Sequence, residues 1–353
     1  MKKITALLLL FISIVFLQGC SDSVINPVNE KPLTESGIYV VNEGLWGQNN
    51  STVTYYDPVK KTHVINLYGQ ANGGARLGDT GNDIAVSGNS MLISVTTSNK
   101  IEVLNTLTFA SERAVDMGSG SSPRRILIKD SVYCYVTGFN DRVSKVNYRT
   151  GQIEKSVQVG TYPEGIIMKG SKIYVANSGL GGGTTVSVID VMTETVTKTI
   201  DVGLNPINLG LADNGYLYVV CTGTYDTVGP KGSVYKIDPA TDSVIDSLVT
   251  GDNPGEFVIV GNTMYVLNDE GVAKINLATM TVENPVLISG ITVNPIYGII
   301  YSIGYDALTK NLLLGNPKDF SQNGEVVIMT TAGAEVERFN TGINPGQILV
   351  INK

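Results

Sequence analysis

A short alternating segment ending in an acid, an amide or a threonine recurs seven times along the chain, and no other feature restricts its fold so tightly. The copies read TVTYYDP, KIEVLNT, RVSKVNY, TVSVIDV, SVYKIDP, GVAKINL and EVVIMTT. Each alternates apolar with polar residues and runs into a turn-like stretch, so each reads as a strand. Their closing positions are Asp57, Asn105, Asn147, Asp190, Asp238, Asn276 and Thr330, spaced 38 to 54 residues apart. A more apolar series precedes them: GIYVVNEG, SMLISVTT, SVYCYVTG, SKIYVANS, GYLYVVCT, NTMYVLND and NLLLGNPK. A third series is a proline step: SSPRRILI, TYPEGIIM, LNPINLGL, DNPGEFVI, VNPIYGII and INPGQILV, with DTGNDIAV in its place in the second unit.

Four strands per unit, repeated at this length, predict an all-β, seven-bladed β-propeller of four-stranded blades over residues 37–353. The order of the series also predicts how the ring closes. The first unit opens on GIYVVNEG, a second strand, and its missing innermost strand is GQILVI at the other end of the sequence. The C-terminal strand is therefore expected to complete the N-terminal blade, which removes an open edge.

The first residues read as an address. Residues 1–19 carry a basic start and an apolar run with signal-peptide flanks, too short for a membrane span. LQGC resembles a bacterial lipobox, which implies cleavage before Cys20 and lipidation of its thiol. Residues 20–36 are polar and proline-bearing, as suits a flexible tether. Ser21 and Asp22 resemble the surface-export signal of Bacteroidetes-type lipoproteins, which implies a lipid-anchored, surface-exposed outer-membrane protein. Cleavage leaves 334 residues, and loss of Lys2 and Lys3 takes the formal charge from −7 to −9. An acidic chain without basic clusters argues against nucleic acid as a partner. Cys134 and Cys221 lie in apolar strands and read as buried free thiols rather than a disulfide.

If successive strands alternate direction, the loops entering strand one and those joining strands two and three share a face. That face is expected to present two families of amides. Asn205, Asn253, Asn294 and Asn344 precede entry prolines, while Asn42, Asn177 and Asn268 end second strands. Asn-Pro also suits a type I turn, so turn chemistry alone accounts for the first family. The loops after strand two add Trp46, Asn49, Asn50, Phe139, Asn140, Tyr225 and Phe320, and Tyr162 and Tyr297 flank entry prolines. Aromatics converging with amides on one face read as a binding platform with apolar walls and sparse polar groups.

Catalytic constellations are not legible. The single histidine, His63, follows a third strand, away from that face, so neither a Ser-His-Asp triad nor a histidine metal site is expected. The GLGGGTT stretch lies between strands without a following helix and lacks the setting of a phosphate loop. Asp269 and Glu270, adjacent in a turn, read as solvated. Neither a metal nor a catalytic cofactor is expected.

The segment IYVANSG followed by VSVIDVMTETVTKTIDVGLNP resembles the YVTN-repeat propellers. VVNEGLWGQNNSTVTYYDP and LGDTGNDIAV further resemble the BtuG-type surface lipoproteins of Bacteroidetes. That resemblance implies capture of cobalamin or a related corrinoid and its transfer to a TonB-dependent outer-membrane transporter, without catalysis. A corrinoid combines apolar ring surfaces with a fringe of amides, which asparagines and aromatic rings can meet. Arg124 and Arg142 are candidates for its phosphate. The alternatives are a lipoprotein whose face binds a protein or glycan, and a lyase- or lactonase-like propeller enzyme using carboxylates.

Overall fold

The computed structural model describes residues 36–226, 228–251, 253–291 and 300–352. The leader, Cys20, and all of the tether before Ser36 lie outside these residues, as do Asn294 and Tyr297.

Seven four-stranded antiparallel sheets form the blades of a propeller. The innermost strands are Gly81–Ser87, Pro123–Ile128, Pro163–Lys169, Pro206–Leu211, Phe257–Val260, Ser302–Asp306 and Pro345–Ile351. Each touches the next around the axis, so the ring is closed. Blade 1 is ordered Pro345–Ile351, Gly37–Asn42, Thr52–Asp57, Thr62–Val64, with Ile38 opposite Val350 and Val40 opposite Ile348. The C-terminal strand thus completes the first blade, as the repeat order predicts.

The core is divided among the interfaces between neighbouring blades. Seven apolar clusters each draw from two adjacent blades. In Gly37–Asn42, Ile38 and Val40 pack toward blade 7 while Tyr39 and Val41 pack toward blade 2. Both faces of a second strand are therefore buried, and this is why that series reads as a continuous apolar run. Cys134 and Cys221 are free and buried in separate clusters.

The polar closing positions of the third strands also have a local cause. Asp57, Asn105, Asn147, Asp190 and Asn276 each accept two backbone N–H groups from the following turn, for example Met192 N at 3.0 Å and Thr193 N at 2.8 Å on Asp190. A short acceptor side chain at that point mimics a backbone turn and closes the hairpin.

Two elements depart from the reading of the repeats. The inner strand of blade 7 is Ser302–Asp306, and the proline of VNPIYGII lies outside the described residues. Asp306 sits opposite Asn311 across a tight turn, which places Ser302 opposite Gly315. In blade 1 the outer strand has three residues and is followed by a helical turn, Leu67–Ala71, capped by Asn66. Tyr68 of that turn is buried against blade 2.

Candidate functional site

The loops after strand two and the entries to strand one do share a face, and backbone hydrogen bonds tie them together. Glu43 N donates to Asn344 O (2.9 Å), Thr96 N to Thr80 O (2.8 Å), Phe139 N to Ser122 O (3.2 Å), Ser178 N to Tyr162 O (3.2 Å) and Thr222 N to Asn205 O (2.9 Å). The residue entering each of these strands is left-handed: Thr80, Ser122, Tyr162, Asn205, Asn253 and Asn344 have φ between 41° and 60°. Asparagine tolerates that conformation better than most residues. The Asn-Pro repeat is thus set by a positive φ rather than by the first position of a type I turn.

Below this rim, the first residues of the inner strands project charge into the channel. Arg125 of blade 3 donates to Glu256 of blade 6 and to Gln347 Oε1 of blade 1 (2.9 Å), with Asp83 of blade 2 at 4.0 Å. Asn208 Nδ2 donates to the other oxygen of Glu256 at 2.8 Å. Arg125 therefore links three other blades to its own across the axis, and Glu256 brings in a fourth through Asn208. Burial works against the Arg125 charge, but Glu256 and Asp83 outweigh it and hold the guanidinium above its ordinary range. Burial pushes Asp83 up, although Arg125 and the N–H groups of Ile126 and Ile84 oppose this.

Glu43 forms a second centre nearer the rim. It accepts from Tyr301 Oη (2.7 Å) and Asn82 Nδ2 (3.4 Å). Burial raises its pKa above the ordinary 4.5, against the lowering by Tyr301, Arg124 and Arg125. A carboxyl with a raised folded-state pKa binds its proton more tightly in the native chain, so native stability falls as pH climbs from 4.5 through the raised value. Glu43→Gln should flatten that decline, Asp83 retaining a share of the same sign. Urea midpoints measured from pH 4.5 to about 7.5 check this; parallel curves for the two proteins would show Glu43 to be solvated.

The aromatics around the mouth fall into two groups. Phe139 and Tyr162 form an edge-to-face pair 5.3 Å apart, with the Arg124 guanidinium 4.7 Å from the Phe139 ring and held by Glu164 at 3.0 Å. Phe320 pairs edge-on with Tyr301 at 5.6 Å. Trp46 and Tyr225, in contrast, stand 82% and 73% exposed. The Trp46 loop is nonetheless firmly built: Asn50 Oδ1 accepts Leu45 N (2.8 Å), Asp79 Oδ2 accepts Asn49 N (3.1 Å), and Ser51 Oγ joins Glu43 O to Gly81 N. A pinned loop that leaves its tryptophan in solvent lowers the ordering cost of a contact.

A hollow of about 380 Å³ lies at the mouth between Arg124, Asn205, Tyr225, Asn253, Glu256 and Tyr301. It adjoins a more open one of about 560 Å³, which shares Asn205, Ile207 and Tyr225. Asn268 is buried but lines the first hollow, with its Oδ1 engaged by Glu270 N and Gly271 N. Asn42 and Asn177 are corrections to the sequence reading, because they are buried and do not reach the surface. Their amide nitrogens bond Thr52 and Thr54, and Thr185 and Ser187, lacing strand two to strand three. Asn344 donates to Gly44 O at 2.9 Å, a rim brace. Asn49 and Asn50 line a separate groove between blades 1 and 2, while Asn140 and Arg142 are exposed on blade 3.

Sequence reasoning did not single out Glu43, Asp83, Arg125, Glu256 or Tyr301. A signal for some of them exists: polar residues interrupt the apolar inner strand one or two places after the proline, as in Arg124, Arg125, Glu164, Asn208, Glu256 and Gln347. Among the described residues there is no cluster of three or more metal-ligating His, Cys, Asp or Glu side chains, and no helix is long and apolar enough to cross a membrane.

Residues 36–253 match the family model described as Domain of unknown function (DUF5074). Among solved structures the chain is similar to Kuenenia stuttgartiensis hydrazine synthase, with 20% identity and a TM-score of 0.63 over 74% of this chain and 87% of that one. It is also similar to a quinonprotein alcohol dehydrogenase-like protein from Bacteroides thetaiotaomicron VPI-5482, with 17% identity and a TM-score of 0.66 over 91% of this chain and 79% of that one. At these identities the likeness is one of fold, and propellers host unrelated activities. No curated protein matches the chain.

Proposed function

We propose that this chain, which belongs to the DUF5074 family, is a surface lipoprotein that captures cobalamin or a related corrinoid by binding alone and passes it to a TonB-dependent outer-membrane transporter. The observation that carries the reading is the mouth itself. The two adjoining hollows share Tyr225 as a wall and Asn205 beside that exposed ring, while Asn253 lines the first and braces the Tyr225 loop through Thr222 O and Thr224 O. A broad ligand with apolar surfaces and an amide fringe needs that combination. The Arg124 guanidinium, over Phe139, suits its phosphate. The likeness of the first blades to BtuG-type lipoproteins and of the repeats to YVTN propellers supports the same reading, as does the leader at 1–19 with Cys20 as lipidation site and residues 20–36 as tether.

Calorimetry with cyanocobalamin at micromolar protein tests it. We expect a saturable heat, and Tyr225→Ala should weaken binding about tenfold, the loss typical of a central aromatic anchor. Tyr225 is exposed, so the variant keeps its fold. No heat and no co-elution with the native protein would end the corrinoid reading. Unchanged affinity in Tyr225→Ala would move the site away from these hollows.

A further inference from the structure

A second concave site lies outside the mouth, in the groove between blades 1 and 2. Its volume is about 430 Å³, and Gln48, Asn49, Asn50, Thr52, Asn66 and Arg76 line it. The lining is amide, hydroxyl and one guanidinium, with almost no apolar side chain, unlike the mouth. The walls are rigid: Asn50 Oδ1 holds Leu45 N, Asn66 Oδ1 caps Gly69 N at 2.9 Å, and Asn49 N is fixed to Asp79. The amide nitrogens of Asn50 and Asn66 make no hydrogen bond among the described residues. The side chains of Gln48, Asn49 and Arg76 make no hydrogen bond or ion pair among the described residues, although Asp57, Glu102, Glu194 and Asp242 elsewhere each pair with a lysine. Asp79, which holds Asn49 N, is buried and also accepts from Thr80 Oγ1.

The groove thus offers unengaged amide groups and one guanidinium that forms no ion pair among the described residues. Two residues before Gln48, Trp46 holds its ring in solvent from the same braced loop. Amides that bond hydroxyls and a cation for one carboxylate are the elements that recognise an acidic sugar. We infer that this groove binds an acidic pyranose, with its carboxylate on Arg76 and its hydroxyls on the Gln48, Asn49 and Asn66 amides. The inference is independent of the corrinoid reading, since neither the mouth nor Tyr225 takes part.

Saturation-transfer NMR of the full chain with D-glucuronate, and with D-glucose as the neutral arm, tests it. Glucuronate should saturate with a dissociation constant of about 1 mM. Arg76→Gln should weaken it about tenfold, the size of one charge-assisted contact, while leaving the weaker glucose signal unchanged. Gln48→Ala should weaken both sugars. Both side chains are exposed, so thermal midpoints should match the native protein. No saturation by roughly 20 mM glucuronate, glucose bound as tightly as glucuronate, or native affinity in both variants would each overturn the inference.

Discussion

Removing residues 345–353 should abolish the cooperative unfolding of the native ring. The strand Pro345–Ile351 pairs along Gly37–Asn42 and packs against the inner strands of blades 7 and 2. Every residue of Gly37–Asn42 is buried, so the deletion exposes a largely apolar strand edge and opens the circle at once. The loss should reach roughly 5 kcal/mol or more, a large share of the ~5–15 kcal/mol that holds a typical native chain. Scanning calorimetry should show no sharp transition, or one lowered by more than about 10 °C. A synthetic peptide of residues 345–353, added in excess, should restore part of it by mass action. If the truncated chain melts like the native one, blade 1 stands on three strands and the closure is ornamental.

The second large effect is expected at Arg125. Arg125→Gln should destabilise the chain by about 3–5 kcal/mol, because it leaves Glu256 and Asp83 facing each other without a cation in a site where both partners of the ion pair are mostly covered. Burial already pushes the Asp83 carboxyl up, and loss of the guanidinium removes the largest influence that opposes this. Glu256→Gln in the Arg125→Gln background should then recover part of the loss, which a double-mutant cycle in urea measures. A cost under about 1 kcal/mol would place this pair with ordinary solvated surface pairs.

The propeller was legible because its second and third strands obey one rule in every blade. Tyr174 and Tyr218, Val188 and Val234 meet the same two-sided burial, and Asp190 and Asn276 close the same turn. Blade 7 was less legible because its inner strand, Ser302–Asp306, carries no proline of its own. The defining feature is register against strand two, and Ser302 satisfies it without the motif. The site was only half readable. Exposed rings such as Trp46 and Tyr225 betray themselves by standing in loops without a repeat partner. Asn42 and Asn177 looked equally available, yet their buried hydroxyl neighbours at Thr54 and Ser187 claim them from across the hairpin. The Arg125 network is hidden for a different reason. Its members are single residues on blades 1, 2, 3, 5 and 6, and only the curvature of the ring brings them together.

The strand direction in blade 1 also governs how the molecule can be oriented. Gly37 lies opposite Ile351, Tyr55 bonds Ser36 O, and Asn352 bonds Asp306 in a turn remote from the mouth. Both ends of the described chain thus leave from the far side of the ring. A bulky group joined at Ser36 or at Asn352 should therefore leave the mouth and its hollows open.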